Sequence, residues 1–402
     1  MNRVVITGIG IVSPVGCTLS DFWSALVEAR SGVGPITIIP TEGLLIRIAA
    51  QVLGFDPTAH FESRQANLLD RFARFAVVAA RAAVRDAELE IDEPHALEAV
   101  TIVGSGVGGQ VAMDDQYYKI YGQKHSKVHP LTIPRLMINA AASNISMDLG
   151  LKGPTYSVAT ACASGTHAIG QAFHLLRMGQ VPFALAGGSE ACLTFGTLKG
   201  WEALRVLTDD ACRPFSKTRS GLVLGEGAAI LVLETRDRAL ARGARVYAEI
   251  LGFGMTADAA DLTAANADGG ARAMHAALRD SRANPEDIDY VNAHGTGTDL
   301  NDRTESRALR QVFGPHADRL AVSSSKGVLG HSLGAGGALE IAATALALHT
   351  QTIPPTANFE EPDPTCDLDF VPNVARQAQL RMAMSNSFAF GGLNAVVVLA
   401  HA

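Results

Sequence analysis

Cys162 lies in the run Ser157-Val158-Ala159-Thr160-Ala161-Cys162-Ala163-Ser164-Gly165-Thr166-His167-Ala168-Ile169-Gly170. The pattern predicts a short strand that ends there and a small-residue helix that begins. A thiol on a helix's first turn faces unpaired backbone N–H groups and the positive end of the dipole. That favours thiolate, the nucleophilic form. Two more loops far downstream combine glycine with histidine: Asn292-Ala293-His294-Gly295-Thr296-Gly297-Thr298, and Lys326-Gly327-Val328-Leu329-Gly330-His331-Ser332-Leu333-Gly334. One cysteine and two histidines on three such loops read as covalent acyl chemistry. Singly, each has an ordinary reading. A lone Cys is more often a small buried hydrophobe, and a His between glycines often serves a turn. The combination carries the inference, because each residue sits at a strand-to-loop junction where backbone can approach a ligand closely.

The elements that must position these loops alternate along the chain. Arg3–Ile9 reads as a buried strand, Asp21–Ala29 as a helix capped by Ser20, and Leu68–Ala87 as a long amphipathic helix. Val100–Ser105 and Thr155–Thr160 read as strands, with helix Arg135–Leu149 between them. Phe183–Gly188 and Ala228–Glu234 follow as strands. Beyond about Thr235 the pattern restarts: strand Ala248–Gly252, helix Gly270–Arg282, strand Tyr290–Ala293, helix Asp302–Phe313, strand Leu320–Ser324, helix Gly336–Leu348 and a closing strand Ala395–Leu399. Such alternation predicts an α/β fold with mainly buried sheets. Ser157–Phe173 and Val322–Ile341 both read as strand, reactive loop and Ala/Gly-rich helix, so the halves 1–240 and 241–402 are expected to be related. The clusters Thr7-Gly8-Ile9-Gly10 and Gly104-Ser105-Gly106-Val107-Gly108-Gly109 lack full dinucleotide-binding spacing, and are read as tight turns or a pocket wall.

Composition narrows the class. The chain of 402 residues can bury a large core, and its net charge of −7 disfavours nucleic acid. An acidic partner would need a local basic patch. Five cysteines without regular spacing suggest a reducing compartment and no disulfide framework. No signal-peptide pattern opens the sequence and no apolar run spans a bilayer, so the expected location is cytoplasmic.

At these residues the chain resembles a known family. Thr160-Ala161-Cys162-Ala163-Ser164-Gly165, Asn292 to Thr298, Lys326 with Gly330-His331, Ser385-Asn386-Ser387-Phe388-Ala389-Phe390-Gly391-Gly392, and Pro214-Phe215-Ser216-Lys217 followed by Leu224-Gly225-Glu226-Gly227 are similar to the β-ketoacyl-acyl carrier protein synthases of the synthase II type. The matches run in family order along the whole chain. Trp201-Glu202-Ala203-Leu204-Arg205-Val206-Leu207 and the Pro-rich loop Glu361-Pro362-Asp363-Pro364 look most like the nodulation-type and specialised-metabolism branch.

The resemblance implies a thiolase fold, two similar α/β halves in a five-layered α-β-α-β-α core, usually dimeric. It implies elongation of a carrier-bound acyl chain by two carbons, with malonyl-carrier protein losing CO2. Cys162 would take the acyl group, and the backbone N–H groups of Cys162 and Phe390 would hold the oxyanion. His294 and His331 would each donate a hydrogen bond to the enolate. Lys326 would hold its loop through an ion pair with Glu305, with Asp302 nearby. Thr296 and Thr298 would bind the pantetheine amides, Trp201 would line the substrate site, and Val107 would stand at the distal end of the acyl pocket. Arg64, Lys124, Lys127 and Arg205 would meet the acyl carrier protein. No metal or resident cofactor is implied, since phosphopantetheine arrives on the carrier. The implied partner subunit is a second copy or a chain-length-factor-like chain.

Three departures mark this sequence. Leu393 and Ala389 alter the family's glycine-rich end motif, Ser220 replaces a common Asp, and Asn67 and Leu68 dilute the usual basic docking helix. Rival readings are weaker. A thiolase would need a second reactive cysteine near the C-terminus, and Cys366 lacks the glycine-rich setting. A synthase of the third type would carry Asn where His331 stands, and a chain-length factor would lack Cys162.

Overall fold

The computed structural model describes residues 1–402. The strands of its large sheet are β1 (Val4–Val12), β2 (Val100–Gly104), β3 (Thr155–Val158), β4 (Phe183–Glu190), β5 (Gly227–Thr235), β6 (Ala248–Ala257), β7 (Tyr290–Asn292), β8 (Ala321–Ser323), β9 (Met382–Ala389) and β10 (Leu393–Ala400). They lie side by side in the order β8-β7-β9-β10-β6-β1-β5-β4-β2-β3. At the centre, β1 and β6 touch only where Val4–Ile6 meets Ala248–Ile250. On either side of that seam the same pattern recurs. From β1 outward the order is 1-5-4-2-3, with two antiparallel pairings and then two parallel ones. From β6 outward it is 6-10-9-7-8 with the same senses in the same sequence. Adding five to each strand number converts one half into the other.

Helices complete the layers. α1 (Arg71–Asp86) covers the outer face of the first half, with α2 (Ala140–Leu149) beside it. α3 (Ser164–Arg177) and α7 (Gly336–Thr350) pack against each other between the two sets of strands. α4 (Phe195–Leu204) follows β4, and α5 (Ala267–Ser281) with α6 (Asp299–Phe313) covers the outer face of the second half. This is the expected five-layered order. The inner position of α7 explains its sequence: every residue from Gly336 to Leu348 is buried, so it is apolar on all sides. The single charge in that run, Glu340, needs a partner.

Several boundaries differ from the sequence reading. The helix expected over Leu68–Ala87 begins only at Arg71, because buried Asp70 caps α1 by accepting the Phe72 N–H at 3.2 Å; Leu68 ends a separate short helix over Ser63–Leu68. The helix expected over Arg135–Leu149 is likewise two pieces, Thr132–Leu136 and α2. Thr18, not Ser20, caps the first helix, accepting from Asp21 N–H. The glycines of Thr7-Gly8-Ile9-Gly10 form no turn. They lie inside β1, where a Cβ on Gly10 would stand 1.8 Å from the Ala79 carbonyl oxygen, so glycine lets α1 lie directly on the strand.

Candidate active site

β3 leads to Cys162. After Val158 the chain passes into a tight turn over Ala161–Ala163, and α3 begins at Ser164. Cys162 therefore precedes the helix rather than sitting on its first turn. Ala161 takes φ +48°, a left-handed conformation that a residue with a Cβ adopts only when its surroundings hold it there. Gly104 at the end of β2 makes the close approach possible, since a Cβ there would lie 2.2 Å from the Ser164 carbonyl carbon.

The second half delivers the imidazoles. His294 follows β7, and its backbone N–H donates to Glu305 on α6 at 2.9 Å while the Gly295 N–H donates to the same carboxylate at 2.8 Å. His331 is held in an extended stretch against 223–225, with its N–H donating to the Val223 carbonyl at 2.7 Å. These two anchors bring the rings to 5.3 Å between centroids at 84°. His331 Nε2 stands 3.1 Å from Cys162 Sγ. One cavity of about 130 Å³ joins Cys162, His294, His331, Thr296, Thr298, Trp201, Phe388 and Phe390.

Phe390 arrives on a hairpin tip. β9 and β10 pair up to Ala389 and Leu393, and Gly391 and Gly392 turn the chain with φ of +85° and +66°. The Phe390 N–H faces the Cys162 sulfur. Its ring stacks on Trp201 of α4, with centroids 5.7 Å apart and planes 20° apart. Thr296 and Thr298 share a hydrogen bond at 2.8 Å on the cavity wall.

The electrostatics reverse one expectation. Burial pushes the Cys162 thiol up to about 12, with the Lys326 ammonium and the Phe390 N–H acting against it. That rise from 9 corresponds to about 4 kcal/mol against the thiolate, whereas a nearby helix N-terminus returns at most ~2 kcal/mol. Burial thus favours the thiol form of the sulfur. Burial also drives both imidazoles well below the ordinary histidine range, with Lys326 adding to each and His331 adding to His294. Neutral imidazoles donate single hydrogen bonds without adding positive charge.

Lys326 corrects a second expectation. Its ammonium pairs with Glu340 of α7, not with Glu305, and donates to the His294 carbonyl at 2.5 Å. Glu305 is occupied by the His294 and Gly295 N–H groups and by Asn386, and burial raises it to about 7. Asp302 accepts from the Phe215 N–H at 2.7 Å and lies 3.9 Å from Arg219. Lys326 Nζ is 3.4 Å from His294 Nδ1. An ammonium can only donate, so His294 carries its proton on Nε2, on the cavity side.

Glu190 at the end of β4 collects the Ser105 hydroxyl and the Gly106 and Val107 N–H groups, and the turned loop leaves Val107 36% exposed, outside the cavity lining. Arg64, Lys124, Lys127 and Arg205 are all exposed, on three separate segments. Sequence reading missed Glu340 and Glu190, yet both left a signal: each is a lone carboxylate inside an otherwise apolar or small-residue element, Phe183–Glu190 and Gly336–Leu348.

Residues 1–239 match the β-ketoacyl synthase N-terminal domain and residues 247–360 the β-ketoacyl synthase C-terminal domain. Nodulation protein E of Rhizobium sp. (strain N33) is 45% identical over 396 residues, covering 98% of each chain. The 3-oxoacyl-[acyl-carrier-protein] synthase 2 of Synechocystis sp. is 44% identical, covering 98% of this chain and 96% of its own. Among solved structures, the ishigamide ketosynthase/chain length factor superposes with a TM-score of 0.95 at 39% identity, covering 100% of this chain and 99% of its own. A type II PKS acyl-carrier protein in complex with its ketosynthase bound to the hexaketide gives 0.90 at 31% identity, with 100% of both chains covered. With its duplicated thiolase fold and a cavity uniting one cysteine with two histidines, the chain belongs to the β-ketoacyl synthase family.

Proposed function

We propose that this chain is a β-ketoacyl-acyl carrier protein synthase that elongates a fatty acyl or polyketide chain by two carbons, with Cys162, His294 and His331 as its reacting groups. The observation that carries the reading is the 3.1 Å approach of His331 Nε2 to a buried cysteine sulfur, with a second neutral imidazole in the same cavity.

In the first half-reaction the Cys162 sulfur attacks the acyl thioester carbonyl while its proton passes to His331 Nε2. The oxyanion accepts from the Cys162 and Phe390 N–H groups. The phosphopantetheine sulfur leaves and takes the proton, so one thioester is exchanged for another. In the second, malonyl-carrier protein loses CO2. The thioester oxygen of the resulting enolate accepts from His294 Nε2–H and from His331, whose Nδ1 has no partner in the chain and so fixes neither tautomer. The enolate carbon attacks the acyl group, and the Cys162 sulfur leaves as thiolate and takes a proton from solvent by way of His331. Lys326 holds His294 in the donating tautomer, and Glu340 holds Lys326. Thr296 and Thr298 suit the pantetheine amides, Trp201 the acyl chain, and the exposed Arg64, Lys124, Lys127 and Arg205 an acidic carrier protein. No helix is long and apolar enough to cross a membrane, which agrees with a cytoplasmic reading. The likeness to a ketosynthase/chain length factor pair favours a second reading, the catalytic half of a heterodimer, against which a purified homodimer would count.

The test is mass spectrometry of the protein after incubation with acyl-carrier proteins of different chain length. The acyl mass is expected on a peptide containing Cys162 and absent from Cys162→Ala. His331→Ala, which loses the acceptor of the Cys162 proton, is expected still to acquire the acyl group, more slowly than wild type, and to release CO2 from malonyl-carrier protein roughly 10²–10³-fold more slowly. Elongation by Cys162→Ala refutes the assignment.

A further inference from the structure

His167 lies one turn beyond the nucleophile and takes no part in the chemistry above. It is 6% exposed, and it does not line the cavity of Cys162. Its Nδ1 is 2.9 Å from Thr160 Oγ1 and 3.0 Å from the Ala163 carbonyl oxygen. A carbonyl only accepts, so Nδ1 carries the proton, and the Thr160 hydroxyl oxygen accepts from the same N–H. One imidazole N–H therefore spans both ends of the turn Thr160–Ala163, with Ala161 at φ +48° and Cys162 between them. The ring is fixed in turn. It meets Phe253 of β6 edge-on at 5.9 Å, and the missing side chain of Gly170 makes room for Phe253 on the same helix face.

A second brace crosses the same turn. The Thr160 N–H donates to Ser164 Oγ at 2.8 Å, and that hydroxyl donates to the Ala161 carbonyl at 2.6 Å. A non-glycine residue in the left-handed region persists only where neighbours over-determine it. Here the conformation of Ala161 sets the direction of the next N–H and side chain. Those are the Cys162 oxyanion donor and the sulfur.

We propose that His167 is a positioning residue for acyl transfer: through one N–H it clamps the strained turn that aims Cys162 Sγ and the Cys162 N–H at the incoming thioester. The proposal rests on the reading of Cys162 as acyl acceptor. It separates the two half-reactions, because CO2 release draws on His294 and His331, which are anchored elsewhere by Glu305 and Val223.

The test uses the full chain and three variants. His167→Asn places an amide N–H close to the position of Nδ1, His167→Gln places it one bond further out, and His167→Leu removes it. Acylated wild-type protein, with the mass on Cys162, first establishes the underlying reading; its absence would overturn that reading rather than this one. Single-turnover acyl transfer is expected to fall up to about 100-fold in His167→Leu and His167→Gln, the loss that a misplacement near 1 Å produces. His167→Asn is expected to stay within a few-fold of wild type. CO2 release from malonyl-carrier protein is expected to change less than about threefold in all three. If His167→Leu is insoluble, the Asn and Gln pair decides. Equal acyl transfer in Asn and Gln, or a proportional loss of acyl transfer and CO2 release, overturns the proposal.

Discussion

Replacing Glu340 by Gln removes the only carboxylate that meets Lys326. Both side chains are almost entirely enclosed, 2% and 3% exposed, between two sets of strands. Removing one partner of a buried ion pair strands the other charge, at a cost of about 3–5 kcal/mol. Lys326 keeps the His294 carbonyl as an acceptor at 2.5 Å, which puts the expected loss near the lower end, about 3 kcal/mol. That is a large share of a stability of ~5–15 kcal/mol. Lys326→Met leaves a buried carboxyl that can protonate, because burial already raises Glu340 above the ordinary glutamate range. Its cost should therefore be smaller. Urea unfolding of wild type, the two single variants and the double variant gives the coupling directly. We expect ~2–3 kcal/mol between Lys326 and Glu340 and clearly less between Lys326 and Glu305. A Lys326–Glu340 coupling below about 0.5 kcal/mol, or a larger one with Glu305, would refute the pairing.

Other outcomes follow from the same geometry. With its thiol raised to about 12, Cys162 should react with iodoacetamide ~10-fold faster for each pH unit between 7 and 9, since thiolate grows with pH below the pKa; a plateau under pH 8 would contradict the burial argument. Trp201→Ala removes the ring stacked on Phe390, a contact worth ~0.5–1.5 kcal/mol, so single-turnover acyl transfer should slow about 2–10-fold, and no change would mean that the hairpin tip holds itself. Gly10→Ala sets a methyl against the Ala79 carbonyl and should cost ~3 kcal/mol or more in urea unfolding, against under 1 kcal/mol if α1 can move aside.

The duplicated halves were visible in the sequence because each repeats strand, reactive loop and small-residue helix, a signal carried by local pattern. Cys162, His294 and His331 were visible for the same reason, and the cavity unites them. The state of the thiol was not, because the helix N-terminus is a local feature while the burial that outweighs it comes from residues as distant in sequence as Leu193, Leu224 and Leu333. Glu340 was missed as the partner of Lys326 since pairing across layers leaves no mark in spacing; Glu305, nearer in sequence to His294, instead serves the backbone. β9 went unread because Ser385, Asn386 and Ser387 are polar, yet all three are buried in the middle of the second half, where Asn386 donates to Glu305. Val107 was assigned from resemblance, and the pull of Glu190 on its loop is a tertiary effect.

The strand order also sets a timetable. β9 and β10 are the last strands in chain order, yet they lie inside the second half, between β7 and β6. As the chain leaves the ribosome from its N-terminus, the first half can close with β1 to β5 present, whereas β6 and β7 wait as open edges for the final segment. Phe390 lies on the hairpin between those two strands, so Cys162 is complete in sequence long before the Phe390 N–H that faces its sulfur. A nascent or truncated chain thus carries Cys162 without the Phe390 N–H on which the proposed acyl transfer draws.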